Sequence, residues 1–320
     1  MPSIAVRTFT DPVEYFAGIR NLQIDGFVAR RGKFCAKSTR IDLHRLWMHR
    51  FDEDLPRIMK VTPSGTRAGI LFALRPAQPA MQVNGIETSQ NQIAKFGLNR
   101  DWYHRSLAPC EWGTMSLTRE DFAAAGEAIF GHELVSSSFT GSVAPPATAL
   151  SRLRNLHEAA GHLAKTVPDI LARPEVARAI EQGLVEAMMF CLADSPFEDM
   201  RNVQRHRARI MRRLEATLAA NSEQPLYMAD LAAQVGASYW TLRDCCLEYL
   251  GMSPRRYLWL RRMHLAQRAL RRADAERTTV TEIAADYGFW ELGRFSVAYR
   301  SLFGESPSTA LRRAPDAPRP

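Results

Sequence analysis

Residues 288–307 read GFWELGRFSVAYRSLFGESP. Phe295, Tyr299 and Leu302 recur at the spacing of one helix face and form an inner stripe, leaving Gly293, Ser296, Val297 and Arg300 outward and Arg294 at the edge. Just before them, Ile283, Ala284 and Tyr287 make a shorter helical pattern that ends at Gly288, a residue free to take a left-handed turn. Two short helices meeting at such a turn form a helix-turn-helix unit.

The same plan stands 52 residues earlier, between Met228 and Arg243: Leu231 matches Ile283, Ala232 matches Ala284, Val235 matches Tyr287 and Gly236 matches Gly288. Leu231, Val235 and Leu242 face inward, Ala232 is small where the second helix approaches, and Ser238 suits a helix cap that accepts a backbone N–H. One unit alone is a weak signal. Two units joined by the apolar-striped segment from Pro254 to Leu270 are a strong one, and they point to DNA as the partner.

The last hundred or so residues resemble the DNA-binding domain of the AraC/XylS family of bacterial transcription regulators. The resemblance rests on Leu231-Ala232, Gly236-Ala237-Ser238, Leu242, Gly251-Met252-Ser253-Pro254 and Tyr257-Leu258 in and after the first unit. It continues through Arg261-Arg262, Ala266, Leu270, Ile283-Ala284, Gly288-Phe289, Phe295-Ser296, Phe303-Gly304 and Ser306-Pro307. A subgroup that includes the ethanolamine-utilisation regulator shares Trp-x-Leu-Gly-x-Phe, here Trp290 to Phe295. The resemblance implies two recognition helices held by a linking helix, entering successive major-groove segments about 34 Å apart on one DNA face. It further implies double-stranded DNA and RNA polymerase as partners, activation of transcription, a small-molecule effector and a homodimer. Three positions depart from the family pattern: Cys246 replaces a Phe, Gly293 a Ser, and Val297 a basic residue.

Helical projection sorts the DNA-facing side chains. In the first recognition helix Leu242, Cys246, Tyr249 and Leu250 gather on one side, while Trp240, Arg243, Asp244 and Leu247 project on the other. Arg243 is the expected base reader, because a guanidinium can make two hydrogen bonds to a guanine edge. Asp244 is expected to hold Arg243 in place, Trp240 to reach a sugar or a thymine methyl, and Tyr239 and Thr241 to complete the surface. The second helix is expected to supply backbone contacts through Arg294, Ser296 and Arg300, with Val297 beside them. Arg255, Arg256, Arg261 and Arg262 read as solvated surface and intradomain pairs.

The net charge is +8, and residues 207–320 hold 18 Arg against 12 acidic side chains, an excess suited to a phosphate backbone. The five cysteines lack metal-ligand spacing and do not form a disulfide framework. The N-terminus has no basic segment followed by an apolar run, and no stretch of about 18 apolar residues occurs, so a cytoplasmic protein away from membranes is expected.

From about Phe27 to Leu117 short apolar runs alternate with Gly, Pro and Asn: Ile41 to His44, Gly69 to Leu74, Gln92 to Leu98 and Trp112 to Leu117. With Pro76, Pro79 and Asn84-Gly85 as turns, they predict a small barrel or sandwich of cupin-like form. Helical periodicity then resumes at Leu150, Leu153, Leu156 and Leu163 and, after Pro174, at Ile180, Leu184 and Met188; these helices either pad the β-domain or form a dimer seam. His44, His49 and His104 lie near Asp42, Asp101 and Glu111 but show no metal-ligand pattern and read as surface or structural histidines. Trp47, Trp102, Tyr103 and Trp112 read as core aromatics, with a small-molecule pocket as the sharper alternative.

The expected architecture is α+β. A β-rich sensory domain occupies 1–135, a linker and helical connector 136–204, an all-α double helix-turn-helix domain 205–313, and a disordered tail 314–320. No enzymatic activity, cofactor or metal is expected. The rivals are a DNA-binding module that delivers a cupin-type metal enzyme or a repair enzyme, and a nucleoid binder without an effector.

Overall fold

The computed structural model describes the chain except residues 1, 21, 31, 64, 99–100, 135–140, 194–201, 222–225, 227 and 314–320, and the side chains of 202–204. The expected tail and parts of the expected linker and connector lie outside the described residues. Two compact units emerge: residues 1–28 with 34–200, and 201–320 with 29–33.

Among the described residues the first unit holds twelve strands. They are β1 (Ser3–Phe9), β2 (Leu22–Val28), β3 (Ala36–Asp42), β4 (Trp47–Glu53), β5 (Arg57–Pro63), β6 (Arg67–Ala73), β7 (Met81–Val83), β8 (Ile86–Thr88), β9 (Ile93–Phe96), β10 (Trp102–Arg105), β11 (Cys110–Thr118) and β12 (Gly141–Val143). Its helices are α1 (Pro12–Ala17), α2 (Arg119–Phe130), α3 (Ala147–Thr166), α4 (Pro168–Leu171) and α5 (Pro174–Ala193). One sheet runs β1-β3-β4-β11-β6-β9-β12 and the other β2-β5-β10-β7-β8. The alternative left open in the sequence is thereby decided: the sheets form an open sandwich and do not close into a barrel.

Alternation along the strands makes three layers. Phe51, Leu71, Ala94 and Trp112 of the seven-stranded sheet share one core with Met59, Val61, Met81 and Trp102 of the five-stranded sheet. The intervening residues Met48, Ile70, Phe72, Ile93 and Met115 point to the opposite face and pack against Leu150, Leu153, Leu184 and Met188 of α3 and α5. These leucine stripes therefore pad the β-domain. Arg50 fastens this layer: it donates to His157 O at 3.1 Å and pairs with Glu158. Gly161 makes room for it, since a Cβ there would come within 2.3 Å of Arg50 Cδ.

Two parts of this unit run against the sequence expectation. Helix α2, for which the sequence reading gave no element, follows the strands of the β-rich domain; Thr118 caps it by accepting from Asp121 N at 3.1 Å, a local signal present in the sequence. Within the expected linker, Gly141–Val143 pairs with β9 as an edge strand, because the exposed edge of β9 offers backbone partners whatever the composition.

The second unit consists of α6 (Asn202–Ala220), α7 (Met228–Val235), α8 (Tyr239–Leu250), α9 (Pro254–Arg272), α10 (Val280–Asp286), α11 (Leu292–Phe303) and α12 (Pro307–Arg312). Its helices start where sequence supplies caps: Ser238, Ser253 and Ser306 each accept a backbone N–H, and Thr279 with Glu282 forms a capping box. Met263, Ala266 and Leu270 of α9 share a core with Ile283, Phe295 and Tyr299 of the second motif. At the other end of α9, Tyr257 donates to Glu215 of α6 at 2.6 Å.

Candidate functional site

Helices α7–α8 and α10–α11 are the two helix-turn-helix pairs. Gly236 (φ 67°) and Gly288 (φ 73°) take the left-handed conformation that a side chain would strain, so each first helix ends where the turn must begin. Leu231, Val235, Leu242, Cys246, Tyr249 and Leu250 are buried in the first pair, as projected, and Cys245 joins them. In the second pair Phe295 and Tyr299 are buried and Leu302 is half-buried, while Gly293, Arg294, Val297 and Arg300 are exposed.

The repeat is not uniform. Its spacing of 52 residues holds through the turn glycines and then slips, because Tyr239 and Leu292 begin the two recognition helices 53 residues apart. Two residues separate Gly236 from α8, whereas Phe289, Trp290 and Glu291 separate Gly288 from α11. Phe289 anchors the longer turn by packing 4.9 Å from the Phe295 ring, and Trp290 is left 77% exposed. Glu291 replaces the capping serine: it makes no side-chain cap bond and pairs with Arg294 at 3.0 Å. Sequence matching from the glycines alone passes over this extra turn residue.

Tyr239 and Trp240 are exposed at the start of α8, Trp240 at 67%. The Thr241 hydroxyl is engaged locally, 2.8 Å from Ser238 Oγ. Arg243 lies 3.6 Å from Asp244 and 5.8 Å from the centre of the Trp240 ring, so a carboxylate and an indole flank the same guanidinium. Ser296 is half-buried, Val297 and Arg300 are exposed, and the tip of α11 offers few hydrogen-bonding groups. Alanine at Arg300 is expected to weaken binding to all DNA sequences by a similar factor and to reduce the salt slope by about one; titrations of specific and random duplexes at several salt concentrations check this. Of the linking-helix arginines, Arg261 lies 3.7 Å from Glu215, while Arg256 and Arg262 sit over Trp259 and Phe289, which accounts for three of them as intradomain contacts.

The β-unit contains a cavity between its sheets. Trp47, Trp102 and Trp112 line it together with Phe96, and the space between these walls, including the part open to solvent, is about 610 Å³. Tyr103 does not line it, because it follows Trp102 on β10 and faces the other way, while His104 returns to the cavity side. Sequence reading missed Arg20 and Arg67, whose guanidiniums lie 4.3 and 4.0 Å from the centre of the Trp47 ring. The signal that could have found this face is the every-second-residue pattern Trp47-x-His49 and Trp112-x-Thr114-x-Ser116.

His49 and His104 are buried in the cavity wall. Burial, together with Arg40 and Arg20, pushes the His49 imidazole down to about 3, and burial beside Arg57 holds His104 well below its usual range, so both are neutral. His44 is exposed. The carboxylates grouped with these histidines in the sequence are engaged elsewhere: Asp42 with Arg20 and Arg40, Asp101 with Lys60, Glu111 with Arg75. Among the described residues no cluster of three or more potential metal ligands occurs.

A family model described as a helix-turn-helix domain matches residues 231–313. The chain is 43% identical over 98 residues to the probable thc operon regulatory protein of Rhodococcus erythropolis, covering 31% of this chain and 30% of that one. It is 40% identical over 86 residues to XylDLEGF operon transcriptional activator 1 of Pseudomonas putida, covering 27% and 25% of the two chains. The C-terminal domain is an AraC-type helix-turn-helix domain.

A solved structure of a probable AraC family transcriptional regulator from Rhodopseudomonas palustris CGA009 is 34% identical, covers 33% of this chain and 96% of that one, and has a TM-score of 0.30. The present chain spans less than a third of the length of the two curated relatives. Within the AraC-type domain, the family motifs coincide with the caps, turn glycines and core positions described above.

Proposed function

We propose that this protein is a sequence-specific DNA-binding regulator of transcription, an activator that responds to a small molecule. The observation that carries the reading is the pair of helix-turn-helix motifs tied by α9, each presenting one helix whose inner stripe is buried and whose outer face is open. Arg243 with Asp244 and Trp240 is the sequence reader, and Arg294, Ser296 and Arg300 hold the second helix on the phosphate backbone. Tyr239, Thr241 and Val297 border these contacts.

The β-unit is the sensory part. Its sandwich encloses a cavity, and α3 and α5, which lie in the expected connector, extend that same body. An effector changes regulation only if it binds two states of the protein unequally, so the working model is a population shift with RNA polymerase as the downstream partner and a homodimer as the binding form. Among the described residues no helix is long and apolar enough to cross a membrane, and a cytoplasmic location fits a DNA-binding role. The buried neutral histidines and ion-paired carboxylates favour sensing over metal-dependent catalysis.

Selection of bound duplexes from a random pool, followed by competition at physiological salt, tests the reading. A regulator should prefer the selected sequence by roughly 10³-fold or more. A nucleoid binder would show almost no preference, and that result would overturn the proposal.

A further inference from the structure

We propose that the second recognition helix, α11, reads thymine: Val297 and Trp290 make apolar contact with thymine C5-methyl groups in the major groove, and Gly293 between them lets the helix backbone come close to the bases. The inference rests on the regulator reading above and gives α11 a sequence preference that its arginines do not supply.

Exposure is the first observation. Trp290 at 77%, Val297 at 72% and Trp240 at 67% are the three most exposed large apolar side chains among the described residues, and all three stand on or beside a recognition helix. Val297 lies one turn beyond Gly293 on the outer face of α11, away from the buried Phe295 and Tyr299. Trp290 lies three residues before Gly293, in the turn that leads into the helix. It has no part in the core of the motif, because Phe289 packs on the Phe295 ring instead. Apolar groups facing water in this way gain free energy when a partner covers them.

Gly293 is the second observation. Glycine is a poor helix former, yet it is the second residue of α11. Nothing within the protein requires it there: a Cβ would have open space around it to 4 Å, and its φ is not left-handed. Gly131 and Gly304 are equally open, but their φ values of 74° and 75° account for them. Close approach of the backbone to something outside the chain accounts for Gly293. For the first turns of a recognition helix, that is the floor of the major groove.

The chemistry of the face then selects the base. Val297 and Gly293 have no hydrogen-bonding side chain, and the indole of Trp290 has a single N–H on a large apolar ring. Thymine is the base that presents an apolar group, its C5-methyl, in the major groove. A protein surface, such as one on RNA polymerase, is the other occupant an exposed apolar face could take. DNA is favoured because α11 carries Arg294 and Arg300 beside this face and no acidic residue of its own.

The test uses the full chain, the duplex selected from the random pool, and copies of that duplex in which each thymine in turn becomes deoxyuridine, which lacks only the C5-methyl. At one position or more, about one helical turn from the base pair that responds to Arg243→Ala, the change should weaken binding about three- to fivefold, the effect of one methyl group leaving an apolar contact. Val297→Ser and Trp290→Ser should each remove such a penalty; both side chains are exposed, so the melting temperature should stay as it is. Gly293→Ala should weaken binding to the thymine duplex about fivefold or more, the scale of a disturbed base contact, while the melting temperature holds or rises because alanine favours a helix. Binding indifferent to every deoxyuridine change overturns the inference and leaves the regulator standing. A penalty that persists in both serine variants also overturns it and places the methyl reader on α8. If the serine variants keep wild-type DNA affinity but lose activation of transcription, the face belongs to RNA polymerase and the inference falls. A pool that yields no preferred duplex overturns the regulator reading and this inference together.

Discussion

Replacing Arg243 by alanine is expected to reduce the preference for the selected duplex over random DNA by roughly 5- to 150-fold, equivalent to about 1–3 kcal/mol for one bidentate base contact. The loss should concentrate at one base pair. Arg243 sits between Asp244 at 3.6 Å and the Trp240 ring, and its side chain is 42% exposed, so it is restrained before DNA arrives. Restraint lowers the entropy lost on binding and sharpens the geometry a guanine edge demands. Asp244→Ala should therefore reduce specificity less than Arg243→Ala does, with some gain in binding to random DNA as a negative charge is removed near phosphates. Competition among duplexes substituted one base pair at a time distinguishes the cases. A uniform loss across all duplexes for Arg243→Ala would reassign it to the phosphate backbone.

Removing Glu53 should cost the β-unit about 3–5 kcal/mol, the usual effect of leaving a buried charge without its partner. The Glu53 and Arg57 side chains are fully buried, with Arg57 Nε donating to Glu53 Oε1 at 2.6 Å. Tyr15 donates its hydroxyl to the same oxygen, and Cys110 Sγ lies 3.5 Å from Oε2. Burial and the nearby carboxylate push the Cys110 thiol up to about 12, so it stays protonated. Glu53→Ala strands the Arg57 charge 4.9 Å from the centre of the Trp112 ring, next to the cavity wall. The double replacement Glu53→Leu with Arg57→Met should recover most of the loss, because it removes both charges. Urea unfolding followed by tryptophan fluorescence reads the outcome; equal destabilisation by the single and double variants would show that packing, and not the stranded charge, sets the cost.

Legibility in the sequence followed the range of the interactions. Ser238, Ser253-Pro254 and the Thr279–Glu282 capping box act on backbone groups within a turn of themselves, so the helix boundaries of the AraC-type domain could be read residue by residue. The recognition faces followed from periodicity once those boundaries stood. The extra residue of the second turn escaped because Trp290 is exposed and breaks no apolar pattern. In the β-unit, alternation revealed strands but not their partners: β11 pairs with β4 and β6, and its Trp112 meets Trp102 of the other sheet only through the shared core. Helix α2 escaped for a different reason, since its Thr118 cap directly follows the strand run that ends at Leu117.

The amino-acid order alone thus determined the double helix-turn-helix, its core and its caps, because helices close their hydrogen bonds locally and show one periodic face. Tertiary structure alone decided that the β-domain is an open sandwich, that α3 and α5 pad it, and that Arg20, Trp47, Arg67 and Trp112 line one cavity. Strand order and layer packing depend on contacts between residues far apart in the chain, and no local pattern records which face will meet which.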